Sequence, residues 1–202
     1  IGSFIVEEAL RRGMNVWAAV RHTSSRRYLT DKRINFIELD FSSADRLRRI
    51  LGGHTFDYVV HAAGVTKCLH RDDFHRVNTL GTKNLVDALL ALQMPLRRFV
   101  FISSLSVYGA VCERQPYRDI SENDIPRPNT AYGRSKLEAE RYLESIGNDF
   151  PYIILRPTGV YGPREKDYFL MARSIASHVD FAVGYRRQDI TFVYVKDVVQ
   201  AV

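Results

Sequence analysis

FDYVVHAAG (residues 56–64), a helical pattern over about 72–92 bent near Gly81, and RRFVFIS (97–103) decide the fold between them. The outer two are short apolar runs bounded by turn residues, the pattern of buried strands. The middle segment is long enough for a helix that returns the chain to its starting edge, so the two strands run parallel. Working outward, the same alternation recurs. Upstream, SFIVEEALRR (3–12) places Phe4, Ile5 and Ala9 on one helical face, with Gly13 as a left-handed terminator. NVWAAV (15–20) and INFIELDF (34–41) read as strands, and SSADRLRRIL (42–51) as a helix capped by Ser42 or Ser43. Downstream, TAYGRSKLEAERYLESI (130–146) reads as a helix ended by Gly147 and Asn148, and YIILR (152–156) as a strand. Crossover helices between apolar strands predict a doubly wound parallel sheet covered on both faces.

Past Gly162 the rhythm weakens to a helix over about 166–177, short strands FAVG (181–184) and ITFVYV (190–195), and a helix starting near Lys196. The expected division is a dinucleotide-binding domain over 1–162 and part of a substrate-binding region over 163–202, with the chain crossing back to the first domain. The opening helix stands where such a sheet normally has a strand and a glycine turn, and DVVQAV (197–202) begins a helical pattern. The expectation is therefore an internal piece of a longer protein that lacks its first strand. About six buried side chains of that strand are worth roughly 9–18 kcal/mol, as much as the whole stability of a typical domain.

Composition bounds the chemistry. The chain has 202 residues, 46% apolar and 26% charged, which excludes collagenous and disordered classes. Cys68 and Cys112 form no CxxC, and no His spacing accompanies them, so neither a disulfide framework nor a metal site is expected, and a reducing cytoplasm fits best. No apolar run approaches the ~20 residues of a membrane helix. The net charge of +6 suits phosphate-bearing small molecules as readily as nucleic acid, and charge alone does not choose between them. The basic residues are spread along the chain without a nucleic-acid motif, so neither nucleic acid nor membrane is an expected partner.

Three features carry chemistry. Tyr132 and Lys136 lie four apart on one helix, which puts them on the same face about 5–6 Å apart. An ammonium at that distance favours tyrosinate by roughly 3 kcal/mol at an effective dielectric near 20, bringing a phenol from ~10 toward ~8. Such a phenol exchanges protons near neutrality. RFVFISSLSVYG (98–109) runs a strand into Ser103, Ser104 and Ser106, which places hydroxyls at the carboxyl end of a strand, where open α/β sheets bind ligands. HAAG (61–64) ends another strand in small residues that let a flat ring or a ribose approach the backbone.

In this order, with VNTLGT (77–82), LRPTGVYGP (155–163) and FVYVKDVVQA (192–201), the chain resembles the extended short-chain dehydrogenase/reductases, the NAD-dependent epimerase/dehydratase group. The resemblance implies a Rossmann-type fold and an NAD(P)-dependent enzyme. It implies Tyr132 as proton donor or acceptor, Lys136 on the nicotinamide ribose, and Ser104 orienting the reacting oxygen. Gly2 would end the phosphate turn, and Ala62, Ala63, Gly64 and Asn78 would line the cofactor. Asp40 and Phe41 would flank the adenine, Pro157 and Thr158 would sit by the nicotinamide, and Ser106 and Arg164 would face the substrate. Hydride transfer to and from the nicotinamide is the implied chemistry. Family members often pair through the helices equivalent to 72–92 and 130–146, so a homodimer is the analogous expectation.

NVWAAV ends in Arg21, followed by His22, Arg26 and Arg27, where a carboxylate would bond the ribose 2′-hydroxyl of NAD. A cation suits a 2′-phosphate, so NADP(H) is expected over NAD(H). SSLSVYG (103–109) and GVYGPRE (159–165) look like a nucleotide-sugar epimerase or dehydratase, whereas Arg21 resembles dihydroflavonol-reductase-like carbonyl reductases. A non-catalytic NADP(H) sensor is the alternative of another class. It would need the ribose contacts but not the acid–base hydroxyl of Tyr132.

Overall fold

A computed structural model describes residues 1–110, 118–179 and 190–202. The expected strand at 181–184, and Cys112, lie outside these residues. In chain order the regular elements are α1 (Gly2–Arg11), β1 (Trp17–Val20), β2 (Asn35–Glu38), α2 (Ala44–Leu51), β3 (Tyr58–His61), α3 (Arg71–Phe74), α4 (Gly81–Ala91), β4 (Arg98–Ile102), α5 (Ala131–Ile146), β5 (Tyr152–Leu155), β6 (Gly159–Tyr161), α6 (Asp167–Ala176), β7 (Phe192–Tyr194) and α7 (Val195–Ala201). All strand pairs are parallel: β1 with β2, β4 between β3 and β5, and β6 with β7. Only β6 is absent from the sequence reading, since its three residues follow Pro157 and carry a glycine.

The α/β fold is doubly wound because β1 and β2 are covered on both faces. Ile37 and Leu39, with Trp17 beside them, join the main core of Leu47 and Leu51 from α2, Leu85 and Leu89 from α4, Phe99 and Phe101 from β4, and Ala139 and Leu143 from α5. Ala18 and Phe36, one position along each strand, turn to the opposite face and meet Leu10 of α1. This is the period-two alternation of a strand. Among the described residues no strand hydrogen-bonds β1 to β3, yet a single apolar core runs under both sheets. Beyond Gly162 the chain returns to α1, where Phe4 packs with Val195 and Val199 of α7.

The bend expected near Gly81 is a widened π-helical turn, His75–Leu80, between α3 and α4. Such turns often accompany functional sites. Here it brings Asn78 and Thr79 inside, where both bond Ser135 of α5.

Candidate active site

The carboxyl ends of β3 and β4 and the first turns of α5 build one site. After β4 the chain enters a 3-10 turn, Leu105–Val107, capped by Ser104, whose Oγ accepts from the Ser106 N–H at 3.2 Å. Ser104 Oγ also donates to Ser106 Oγ at 3.1 Å. Thr130 caps α5, its hydroxyl accepting from the Gly133 N–H at 3.0 Å. Gly133 lets α5 approach the serine turn: a Cβ there would lie 2.4 Å from the Ser106 carbonyl oxygen and 3.1 Å from Pro128 Cβ. The missing side chain next to Tyr132 is thus what brings the phenol to the serines.

Tyr132 is half-buried and edge-on to the Phe74 ring at 6.2 Å, with the Ser104 hydroxyl beside its phenol. Burial raises the phenol above the ordinary value, with the Ser104 hydroxyl pulling the other way. This corrects the expectation that Lys136 brings the phenol toward neutrality. The Lys136 ammonium is engaged elsewhere, donating to the Ile102 carbonyl at 2.6 Å and lying 4.2 Å above the Phe101 ring. Burial lowers Lys136 to about 8, while the Glu140 carboxylate pushes it up.

Ala62, Ala63 and Gly64 are exposed beyond β3. Asn78 stands behind them: its side chain accepts from the Val65 N–H at 2.8 Å and donates to the Val65 carbonyl and Ser135 Oγ, each at 3.0 Å. It is 1% exposed and holds the loop that follows Gly64 through its bonds to Val65. The Arg164 guanidinium donates to Ser3 Oγ at 2.8 Å and Glu7 at 2.6 Å and lies over the Phe4 and Tyr28 rings, which ties the turn after β6 to α1.

Among the remaining expected residues, Gly2 opens α1 with open space around its Cα. Arg21 is exposed just past β1, its N–H donating to Ser24 Oγ at 2.9 Å. Asp40 pairs with Arg46 at 2.7 Å, and Phe41 packs 5.6 Å from the His61 ring. The Pro157 carbonyl accepts from the Leu105 N–H at 2.9 Å, joining β5's end to the serine turn, and Thr158 donates to the Thr191 carbonyl at 2.7 Å.

The candidate Ser103, 3% exposed, has a buried hydroxyl without a hydrogen-bond partner at the end of β4. Two residues escaped the sequence reading. His61 is a buried ring whose Nε2 pairs with Thr82 Oγ1 at 3.0 Å; burial, helped by the Lys136 charge, lowers it to about 3. Glu140, fully buried, meets Arg156 Nη2 at 2.9 Å. Glu140 was open to the same spacing argument, since it lies four residues past Lys136.

A family model described as "NAD dependent epimerase/dehydratase family" matches residues 1–202. The chain is 31% identical over 189 residues to an uncharacterized UDP-glucose epimerase of Bacillus subtilis, YtcB, covering 86% of this chain and 55% of that one. Among solved structures it is similar to the Bordetella bronchiseptica enzyme WbmH in complex with NAD+, with TM-score 0.81, 28% identity and coverage of 100% of this chain and 67% of that one. It is similar also to a Thermus thermophilus UDP-glucose 4-epimerase in complex with NAD, with TM-score 0.83, 25% identity and coverage of 99% and 69%. The chain spans about half the length of the curated relatives that match most of it.

Proposed function

Because the chain belongs to the NAD-dependent epimerase/dehydratase family, we propose that it is part of an enzyme acting on a nucleotide sugar, with Tyr132 as its acid–base group. The observation that carries this reading is the juxtaposition of the Tyr132 phenol with the Ser104 hydroxyl at the carboxyl end of the central strand β4, with Lys136 one helical turn away on the same face. The residues fit a nicotinamide dinucleotide: Ser103 offers an unpartnered buried hydroxyl, and Ala62 to Gly64 leave the edge of β3 open. When bound, that cofactor supplies hydride acceptance and return. Residues 163–202 are read as the start of the substrate-binding part.

The chain's own residues handle orientation and the proton. Ser104 directs the reacting oxygen toward the phenol. Tyr132 keeps its proton in the ligand-free protein, because burial favours the neutral form, and exchanges it with a sugar hydroxyl or ketone once that oxygen is in reach. Lys136 would hold the ribose hydroxyls and lend its charge to the tyrosinate. Tyr132→Phe tests this: turnover of UDP-sugars is expected to fall about 10²–10⁴-fold with cofactor binding retained. Unaltered turnover overturns the role of Tyr132, and cofactor binding with no turnover in the wild type either leaves the sensor reading.

Arg21 favours a second reading, an NADPH-dependent carbonyl reductase, and supports NADP(H) as the cofactor, since its exposed cation stands just past β1. The NAD in the WbmH and Thermus structures argues for the other dinucleotide. In Arg21→Glu the KM for NADP(H) is expected to rise while that for NAD(H) does not; an unchanged preference defeats Arg21 as the determinant. Redox bookkeeping separates the activities, because an epimerase leaves the nicotinamide unchanged over a turnover and a reductase consumes it with product.

A further inference from the structure

Tyr132, Lys136 and Glu140 form one stripe along α5, spaced at four residues, and the last two are almost completely buried at 4% and 0% exposure. The Glu140 carboxylate accepts from Arg156 Nε at 3.1 and 3.2 Å and from Nη2 at 2.9 Å. Arg156 Nη1 in turn donates to the Tyr108 hydroxyl at 2.5 Å. One carboxylate thereby joins α5, the end of β5 and the residue that closes the serine turn. Burying such a pair is a poor way to gain stability, since apolar side chains of similar volume often serve as well or better. What apolar side chains lack is a negative charge one helical turn from a buried ammonium.

Resting on the reading of Tyr132 and Lys136 given above, we propose that Glu140 is a positioning residue for Lys136: fixed by Arg156, its carboxylate keeps the buried ammonium charged without itself touching substrate or cofactor. Burial pulls Lys136 down, Glu140 is the group that opposes it, and the balance of the two lies at about 8. The other groups around Lys136 do not take this part. From β3 comes His61, neutral because burial and Lys136 hold it to about 3. β4 supplies the Phe101 ring and the Ile102 carbonyl, and the end of β5 supplies Arg156, a like charge already committed to Glu140. The serine turn supplies the hydroxyls of Ser104 and Tyr108, and α5 itself supplies Tyr132. From the π-helical turn come the Asn78 amide and His75, which pairs with Glu138 of α5 at 2.7 Å, two residues from Lys136 and so away from its face.

Carbon-13 lysine NMR of the full chain without added ligand tests this, with the Lys136 signal identified by its loss in Lys136→Met. In Glu140→Gln the Lys136 midpoint is expected at lower pH than in the wild type, and Glu140→Asp, which keeps the charge, is expected to restore it. Should Glu140→Gln not fold, the double variant Glu140→Gln with Arg156→Met removes the pair together and is expected to shift the midpoint the same way. A midpoint that stays in place in the neutral variant overturns the inference. A shifted midpoint upholds it even in a protein that turns over no sugar, a result that would instead defeat the reading of the function. With turnover, the alkaline limb of the kcat profile is expected to move toward acid along with the midpoint; a limb that stays put while the midpoint moves overturns Glu140's part in positioning.

Discussion

Lys136 is a side chain whose burial costs stability. Its amine titrates near 8 in the folded chain against 10.5 when free, so below pH 8 folding works against a proton the unfolded chain binds more tightly. The difference is about 3 kcal/mol, offset in part by the hydrogen bond to Ile102. Lys136→Met is therefore expected to raise the urea-unfolding free energy at pH 7 by about 1–3 kcal/mol while turnover is lost. A destabilised, active variant would contradict both roles. His61 is depressed in the same sense, to about 3 from 6.5, and between those values the unfolded chain binds a proton that the native chain does not. Its contribution is complete above pH 6.5 and fades as pH falls toward 3, by about 1.4 kcal/mol per unit. Replacing His61 with Asn is expected to flatten the stability profile between pH 6.5 and 5 by roughly 2 kcal/mol, as read by denaturant melts at each pH. Neither effect was legible in the sequence, because period and spacing reveal neighbours along a helix but not the dielectric around them.

At the scale of elements, α5 is the part that must be placed accurately. Its cap at Thr130 and its residues in one stripe follow from local chemistry, and both were readable from TAYGRSK (130–136). Its distance from the serine turn does not follow locally, because it rests on Gly133 meeting the Ser106 carbonyl. Adding one methyl there demands a backbone shift, so Gly133→Ala is expected to destabilise by about 1–3 kcal/mol despite alanine's better helix propensity. It is also expected to lower kcat more than it raises KM, since the shift moves Tyr132 away from Ser104. An alanine variant more stable than wild type would show that the contact yields. The π-helical turn is the matching case on the other side. The sequence signalled a bend at Gly81, but the widening that turns Asn78 and Thr79 inward to Ser135 depends on α5 being there to accept them.

Across the whole molecule, one apolar core carries strands from two separate sheets and helices from three stretches of chain. Phe99 lies in it fully buried, packed 5.1 Å from the Phe150 ring. Phe99→Ala is expected to cost about 3–5 kcal/mol and to lower the thermal midpoint without altering the identity of the substrate. A loss under 1 kcal/mol would mean that the site collapses around the gap. Arg164 works at the same scale: its guanidinium on Ser3 and Glu7 fastens the turn after β6 to α1, residues more than 150 apart in sequence.

The alternation of apolar strands with crossover helices, the caps, and the tyrosine–lysine and serine motifs were determined by the sequence alone, because each is set by short-range sterics and by period. Only the tertiary structure decided which side chains lost their water: Lys136 over Phe101, His61 among the phenylalanines, Glu140 beneath Arg156, Asn78 behind the Gly64 loop. Desolvation depends on every element packed around a group, and those elements come from distant parts of the chain.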